Sequence, residues 1–185
     1  MRLILATRNQ HKIREFERLM PGVELEPLPA AVELPPETGE TFAANALAKA
    51  RAAAAATGRP AIADDSGIEA EALDGRPGVR SARFAGPDAD DAANLARLRA
   101  EAPPGSGLRY VCALAHCAPG EDERVFVGTC DGTMAAEARG SRGFGYDPVF
   151  QAADGRTMAE LTDAEKDRIS HRGQAARALL AWLRT

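Results

Sequence analysis

The 185 residues are 45% hydrophobic and 27% charged, the composition of an ordinary globular chain, and one domain with a sizeable core is expected. A formal net charge of -4 excludes a global basic field for nucleic acid or an anionic membrane, so a polyanionic ligand must be caught by local lysines, arginines, amides and metal. Cys112, Cys117 and Cys130, odd in number and without metal-ligand spacing, read as reduced thiols, and Leu3-Ile4-Leu5-Ala6 is too short for a signal or membrane span, so a cytoplasmic chain is expected.

In chain order, Leu3 to Ala6 reads as a buried strand. Asn9 is placed to cap a helix whose stripe is Ile13, Phe16 and Met20, stopped by Pro21-Gly22. A proline-rich connection from Pro27 to Pro36 leads through Glu37-Thr38-Gly39-Glu40 to an alanine-rich helix, Phe42 to Ala56, ended by Gly58 and Pro60. The reading continues with a strand over Ala61 to Ala63, an acidic turn at Asp64-Asp65-Ser66-Gly67, and a strand from Ile68 to Leu73. Gly75-Arg76-Pro77-Gly78 makes a loop, and a helix is expected from Asp90 to Glu101.

Arg109 to His116 and Arg124 to Cys130 suggest a hairpin, with Thr133 to Ala138 as a further strand. Thr162-Asp163-Ala164-Glu165 has the capping-box pattern of a short helix, and Ser170 is placed to cap a last one with Ala176, Leu179, Leu180 and Leu183 on its apolar face. Helices interleave with strands early and strands cluster in the middle, which argues α/β with a mixed sheet. Neither common glycine-rich phosphate loop occurs.

The acidic pair is the most suggestive local feature. A structural turn in which Asp side chains bond nearby amides explains it, and so does a metal site, since hard oxygen ligands suit Mg²⁺. Successive strand residues point to opposite faces, so one acid can work while the other is support. Thr7-Arg8-Asn9-Gln10-His11-Lys12 joins a strand to a helix start, which favours an anion; a capped helix with solvated basic residues is the plainer reading. Asn45 and Lys49 lie one helical turn apart, where Lys49 either reaches water or meets a phosphate or an acid, and Glu37 can add a third carboxylate. Phe144, Tyr146 and Asp147, between Gly143, Gly145 and Pro148, offer rings beside an acceptor, for packing or for stacking on a base. Lys166 and Ser170-His171-Arg172 add donors at two helix boundaries.

Together these segments resemble the inosine triphosphate pyrophosphatase family, hydrolases of non-standard purine nucleoside triphosphates. The resemblance is carried in family order by Leu5-Ala6-Thr7-Arg8-Asn9 with Lys12; by Glu37-Thr38-Gly39 through Thr41-Phe42, Asn45-Ala46 and Lys49-Ala50; and by Ala63-Asp64-Asp65-Ser66-Gly67. It continues through Gly75-Arg76-Pro77-Gly78, Ser81-Ala82-Arg83-Phe84, Gly143-Phe144-Gly145-Tyr146-Asp147-Pro148 and Ser170-His171-Arg172-Gly173.

It implies an elongated α/β domain over residues 1–185, with a central mixed β-sheet flanked by helices, an active-site cleft between two lobes, and a homodimer. It also implies Mg²⁺-dependent hydrolysis of ITP, dITP or XTP to the monophosphate and pyrophosphate. By resemblance, Asp65 is the general base and a metal-site acid, Glu37 the other metal carboxylate, and Lys49 a lysine of the phosphate centre. Substrate-binding positions are Thr7, Arg8, Asn9, Gln10, His11, Lys12, Ser66, Phe144, Gly145, Tyr146, Asp147, Lys166, His171 and Arg172, with His171 and Arg172 donating to a 6-oxo group and Phe144 stacking on the ring. Arg8 stands where relatives often have a small residue, and Ala44 where many have glutamate. A pyrophosphatase for pyrimidine or modified nucleotides, and a nucleotide-binding regulator without hydrolysis, are the rival readings.

Overall fold

The first apolar run becomes β1 (Arg2–Leu5), which pairs in parallel with β2 (Glu24–Pro27) on one side and with β3 (Ala61–Ala70) on the other. The computed structural model describes residues 1–185 throughout. After β1, helix α1 (Gln10–Leu19) starts at Asn9, whose side-chain oxygen accepts from the N–H groups of His11 and Lys12, as its cap position predicts. β2 has no counterpart in the sequence reading. Its segment Glu-Leu-Glu-Pro lacks a buried face, and it is an edge strand, where charge and proline are tolerated.

Helix α2 (Phe42–Thr57) opens with the Thr41 hydroxyl accepting from Ala44 N–H and closes at Gly58, whose left-handed φ of 65° suits glycine. The next element corrects the sequence reading. No turn separates Ala63 from Ile68: the acids lie inside one ten-residue strand, and Glu71–Leu73 is a 3₁₀ turn. Asp has low strand propensity, but tertiary partners for both carboxylates override it here. A second 3₁₀ segment, Gly78–Arg83, precedes α3 (Asp91–Glu101), capped by Asp90.

β4 (Gly107–Cys117) and β5 (Arg124–Met134) are the expected neighbouring strands, each longer than predicted. The strand expected over Thr133 to Ala138 does not form. Thr133 and Met134 end β5 and pair antiparallel with β6 (Phe150–Gln151), which supplies the outer strand instead. α4 (Asp163–Ile169) carries the full Thr162–Glu165 capping box, and α5 (His171–Trp182) follows Ser170 directly. The sheet order is β2-β1-β3-β4-β5-β6, mixed as expected, with helices flanking it.

The chain is organised as two compact units. The first comprises Met1–Asp65, Cys112–Gly128 and Arg172–Thr185; the second comprises Ser66–Val111 and Thr129–His171. The first is built on Leu3, Leu5, Phe16, Ile62, Leu114 and Leu179, and the second on Ile68, Leu98, Leu108, Tyr110, Phe150 and Met158. Each fully buried large apolar side chain contributes roughly 1.5–3 kcal/mol. The three cysteines are buried and free, and burial pushes their thiols up, Cys112 to about 12, which suits packing and not nucleophilic chemistry. No helix is long and apolar enough to cross a membrane.

Candidate active site

β3 delivers Asp64 and Asp65 to different helices, as alternation along a strand requires. Asp64 Oδ2 lies 2.9 Å from Lys12 Nζ on α1 and 3.4 Å from Arg172 Nη2 on α5. Arg172 also donates to Glu15 of α1. Asp65 Oδ2 accepts from Asn45 Nδ2 of α2 at 2.8 Å, and Asn45 Oδ1 accepts from Gly39 N–H at 2.7 Å. One turn further along α2, Lys49 donates to Glu37 and, at 2.7 Å, to the main-chain oxygen of Asp64. The i,i+4 pair seen in the sequence therefore holds the acids through one amide and one ammonium.

Glu15, Asn45, Lys49, Asp64, Asp65 and Arg172 are buried and Lys12 and Glu37 partly so, so their charges govern one another. Burial alone would push the Asp64 carboxyl up, but Lys12, Arg172 and Lys49 outweigh it and hold it well below the usual carboxylate range. Asp65 goes the other way. Burial first, and then the Glu37 charge, hold it above its ordinary value, against the Asn45 hydrogen bond and the charges of Lys49 and Lys12. For Lys49, burial opposes the charge, yet Asp64, Glu37 and Asp65 together raise it, so the ammonium persists. Arg172 is likewise held charged against its burial by Asp64 and Glu15. Adjacent residues of one strand are thus pushed in opposite directions, Asp64 by its cations and Asp65 by burial and the Glu37 charge.

The cluster sets the cations Lys12, Lys49 and Arg172 against four carboxylates, Glu15, Glu37, Asp64 and Asp65. That excess of negative charge, with Glu37 near enough to raise Asp65, fits a hard divalent cation. No three His, Cys, Asp or Glu side chains converge into a ready cage, which Mg²⁺ does not need, because it takes one or two carboxylates together with phosphate oxygens.

The Thr7–Lys12 segment is more committed than its sequence suggests. The expected free amides of the helix start are partly used by Asn9, and Thr7 Oγ1 accepts from Asn9 N–H at 3.2 Å. Gln10 and His11 are exposed, and His11 Nδ1 lies 3.0 Å from Arg14 Nη2. Arg8 Nη2 donates to the main-chain oxygens of Pro29, Ala30 and Val32.

The second unit gathers the aromatic loop. Asp147 is buried and accepts from Lys166 Nζ at 2.6 Å, from Tyr110 OH at 3.0 Å and from Phe144 N–H at 3.0 Å. A Cβ at Gly143, where φ is 72°, would collide with Asp147 Oδ2, so the loop closes on its own acid only with glycine there. Lys166 Nζ sits 5.3 Å from the centre of the half-buried Phe144 ring. The Tyr110 ring stacks on His171 at 4.6 Å and on Phe150 at 4.4 Å. Gly145 N–H donates to Asp91, and Tyr146 OH donates to the Ser81 main-chain oxygen. Ser66 is half-buried at the unit's first residue, and beside it Gly67 leaves room for the Ser81 hydroxyl, with which a Cβ would collide.

Of the residues named from sequence, Lys12, Glu37, Lys49, Asp65 and Arg172 gather in the first unit, and Phe144, Asp147, Lys166 and His171 in the second. Glu15 and Tyr110 were not foreseen. Glu15 lies three residues after Lys12 on a helix, and Tyr110 falls in the inward series Leu108, Tyr110, Cys112, the signals that could have found them.

The sequence model of the Ham1 family matches residues 3–182. A protein of Frankia alni named dITP/XTP pyrophosphatase is 50% identical, covering 100% of this chain and 98% of its own. Among solved structures, a HAM1 protein from Coxiella burnetii aligns with a TM-score of 0.88 at 39% identity, covering 99% of this chain and 98% of that one. A nucleoside-triphosphatase / dITP/XTP pyrophosphatase from Mycobacterium abscessus aligns with a TM-score of 0.74 at 45% identity, covering 97% and 99%.

Proposed function

The chain belongs to the Ham1 family, and we propose that it hydrolyses the non-standard purine nucleoside triphosphates dITP, ITP and XTP to the monophosphate and pyrophosphate. The observation that carries the reading is the buried Asp65, fixed by Asn45 Nδ2 at 2.8 Å, in a centre where Lys49 holds Glu37 and Lys12 and Lys49 provide positive charge. Asp65 directs a water at the α-phosphorus and takes its proton. The α–β bridging bond breaks, and the electron pair leaves with pyrophosphate. Asn45 fixes the carboxylate that does this, and Lys49 offsets negative charge as it builds. Glu37 and Asp65 would hold Mg²⁺, which when bound neutralises the triphosphate oxygens.

Thr7, Asn9, Gln10, His11, Lys12 and Ser66 are assigned to the triphosphate and sugar, whereas Arg8 is committed to the main chain of residues 29–32. Phe144, Gly145, Tyr146, Asp147, Lys166, His171 and Arg172 are assigned to the purine. His171 and Arg172 donate where hypoxanthine and xanthine carry an acceptor and adenine carries a donor. An adenine there leaves buried donors unpaired, at roughly 1–3 kcal/mol per group. A single catalytic domain over 1–185, a homodimer and a cytoplasmic location complete the proposal.

The test is pyrophosphate release from ITP, dITP, XTP, GTP, ATP and pyrimidine triphosphates, with Mg²⁺ and with EDTA. ITP and XTP are expected to exceed ATP by about tenfold or more in kcat/KM, and EDTA to abolish turnover. Equal efficiency for ATP and ITP would overturn the base model. A pyrimidine preference would favour the rival enzyme, and binding without release a regulator.

A further inference from the structure

The connection between β2 and α2, residues 28–41, carries Glu37 but has no regular element to hold it. Pro29, Pro35 and Pro36 have no N–H, so this stretch is rich in carbonyl acceptors and poor in donors. Its own main chain supplies two hydrogen bonds, Val32 N–H to Pro29 O and Thr38 N–H to Pro36 O. Donors from outside the segment come from one guanidinium. Arg8 Nη2 lies 3.2 Å from Pro29 O, 3.3 Å from Ala30 O and 2.9 Å from Val32 O.

We propose that Arg8 is a positioning residue, a strap that fixes the proline-rich connection to the start of α1 and so sets the place of Glu37. The catalytic half of this inference rests on the reading of Glu37 as a working carboxylate. Downstream, Gly39 N–H is held by Asn45 Oδ1 and Glu37 itself by Lys49. Upstream, the segment is held by Leu28, which is buried, and by the Arg8 contacts. Between the clamps, Pro35-Pro36 gives a stiff, extended approach, so a shift at Val32 is transmitted to Glu37 rather than absorbed. An arginine here serves the loop, where the sequence alone pointed to the triphosphate.

Arg8→Ala and Arg8→Lys would be compared with the unaltered protein by amide hydrogen exchange without nucleotide or metal. The Mg²⁺ dependence of pyrophosphate release would be measured on the same proteins, with Glu37→Gln beside them. Arg8→Ala is expected to speed exchange of the Val32 and Thr38 amides, the two that are bonded to main chain within 28–38, by about tenfold while the rest of the chain is unchanged. It is also expected to raise several-fold the Mg²⁺ needed for half-maximal turnover, with KM for ITP at saturating Mg²⁺ little altered. Arg8→Lys, which keeps donors on a flexible stem, is expected to restore part of both. Unaltered exchange over 28–38 would overturn the strap whatever the activity. A raised KM for ITP with unaltered exchange would assign Arg8 to the triphosphate and also overturn it. Faster exchange with unchanged Mg²⁺ dependence would overturn the positioning of Glu37. Full turnover by Glu37→Gln would overturn the reading of Glu37 and the catalytic half with it, leaving exchange to decide the strap.

Discussion

In the first unit, Lys12, Lys49 and Arg172 are set among Glu15, Glu37, Asp64 and Asp65, whereas in the second one buried pair, Lys166 with Asp147, is wrapped by Tyr110, Phe144 and a main-chain N–H. In the former, Asp64 and Asp65 are each set by several charges at once and are driven in opposite directions. In the latter, the acid is satisfied locally, by one cation and two neutral donors. Shared charge suits chemistry, in which a group must change its state. Local satisfaction suits a rigid frame for a ring.

The largest expected effect breaks the first arrangement where it works. Asp65→Asn keeps the shape and leaves Asn45 a partner, so folding and nucleotide binding should survive. Without the carboxylate as proton acceptor, pyrophosphate release should fall by about a hundred- to ten-thousandfold. Near-normal turnover by the folded variant would remove Asp65 from this role and leave the two regions alike in function. Fluorescence titration with a non-hydrolysable ITP analogue, beside the turnover assay, separates binding from chemistry.

A pair of substitutions compares the regions on stability. Arg172→Met removes the guanidinium shared by Glu15 and Asp64, both buried, leaving Asp64 to Lys12, and removal of one partner from such a network costs roughly 3–5 kcal/mol. Lys166→Met leaves Asp147 with the Tyr110 hydroxyl and the Phe144 amide, so the loss should be nearer ~2 kcal/mol, that of one charged hydrogen bond. Urea unfolding of both variants at neutral pH measures the difference. Equal losses would mean that the second acid depends on its lysine as heavily as the first network depends on Arg172.

How much was legible beforehand follows from the same physics. The caps at Asn9 and Thr162, the helix expected from Asp90 and the alanine-rich helix are local, and they stand in the structure close to where the sequence puts them. The acidic pair reads as a turn because propensity sees two aspartates, while the structure supplies lysine, arginine and asparagine from distant helices. β2 and β6 leave no mark in the sequence for a related reason. Short edge strands carry little pattern, and their partners are set by tertiary pairing. At the site, Lys49 and Glu37 were named, but not that they bond each other. Arg172 was seen as a donor, but Glu15, its partner 157 positions away, was not.

The smallest effect concerns α4, whose start is an exposed capping box although its residue Lys166 is buried. Thr162→Ala removes the hydroxyl that accepts from Glu165 N–H and should cost about 1 kcal/mol without disturbing the buried pair. Glu165 makes this contribution pH-dependent. The Thr162 main-chain N–H, then its hydroxyl, and then Arg156 lower the Glu165 carboxyl to about 2. A carboxyl depressed on folding stabilises the protein fully above its ordinary value near 4.5, and that stabilisation fades as pH falls toward 2. The stability gap between the unaltered protein and Glu165→Gln should therefore be full at about pH 6, shrink below about pH 4.5 and vanish near pH 2. Urea midpoints across that range measure it, and added salt should narrow the gap at pH 6, since the Arg156 contact is exposed. A gap that is independent of pH would assign Glu165 to packing. One that widens in acid would reverse the sign of the linkage and unseat the capping box as the anchor of α4.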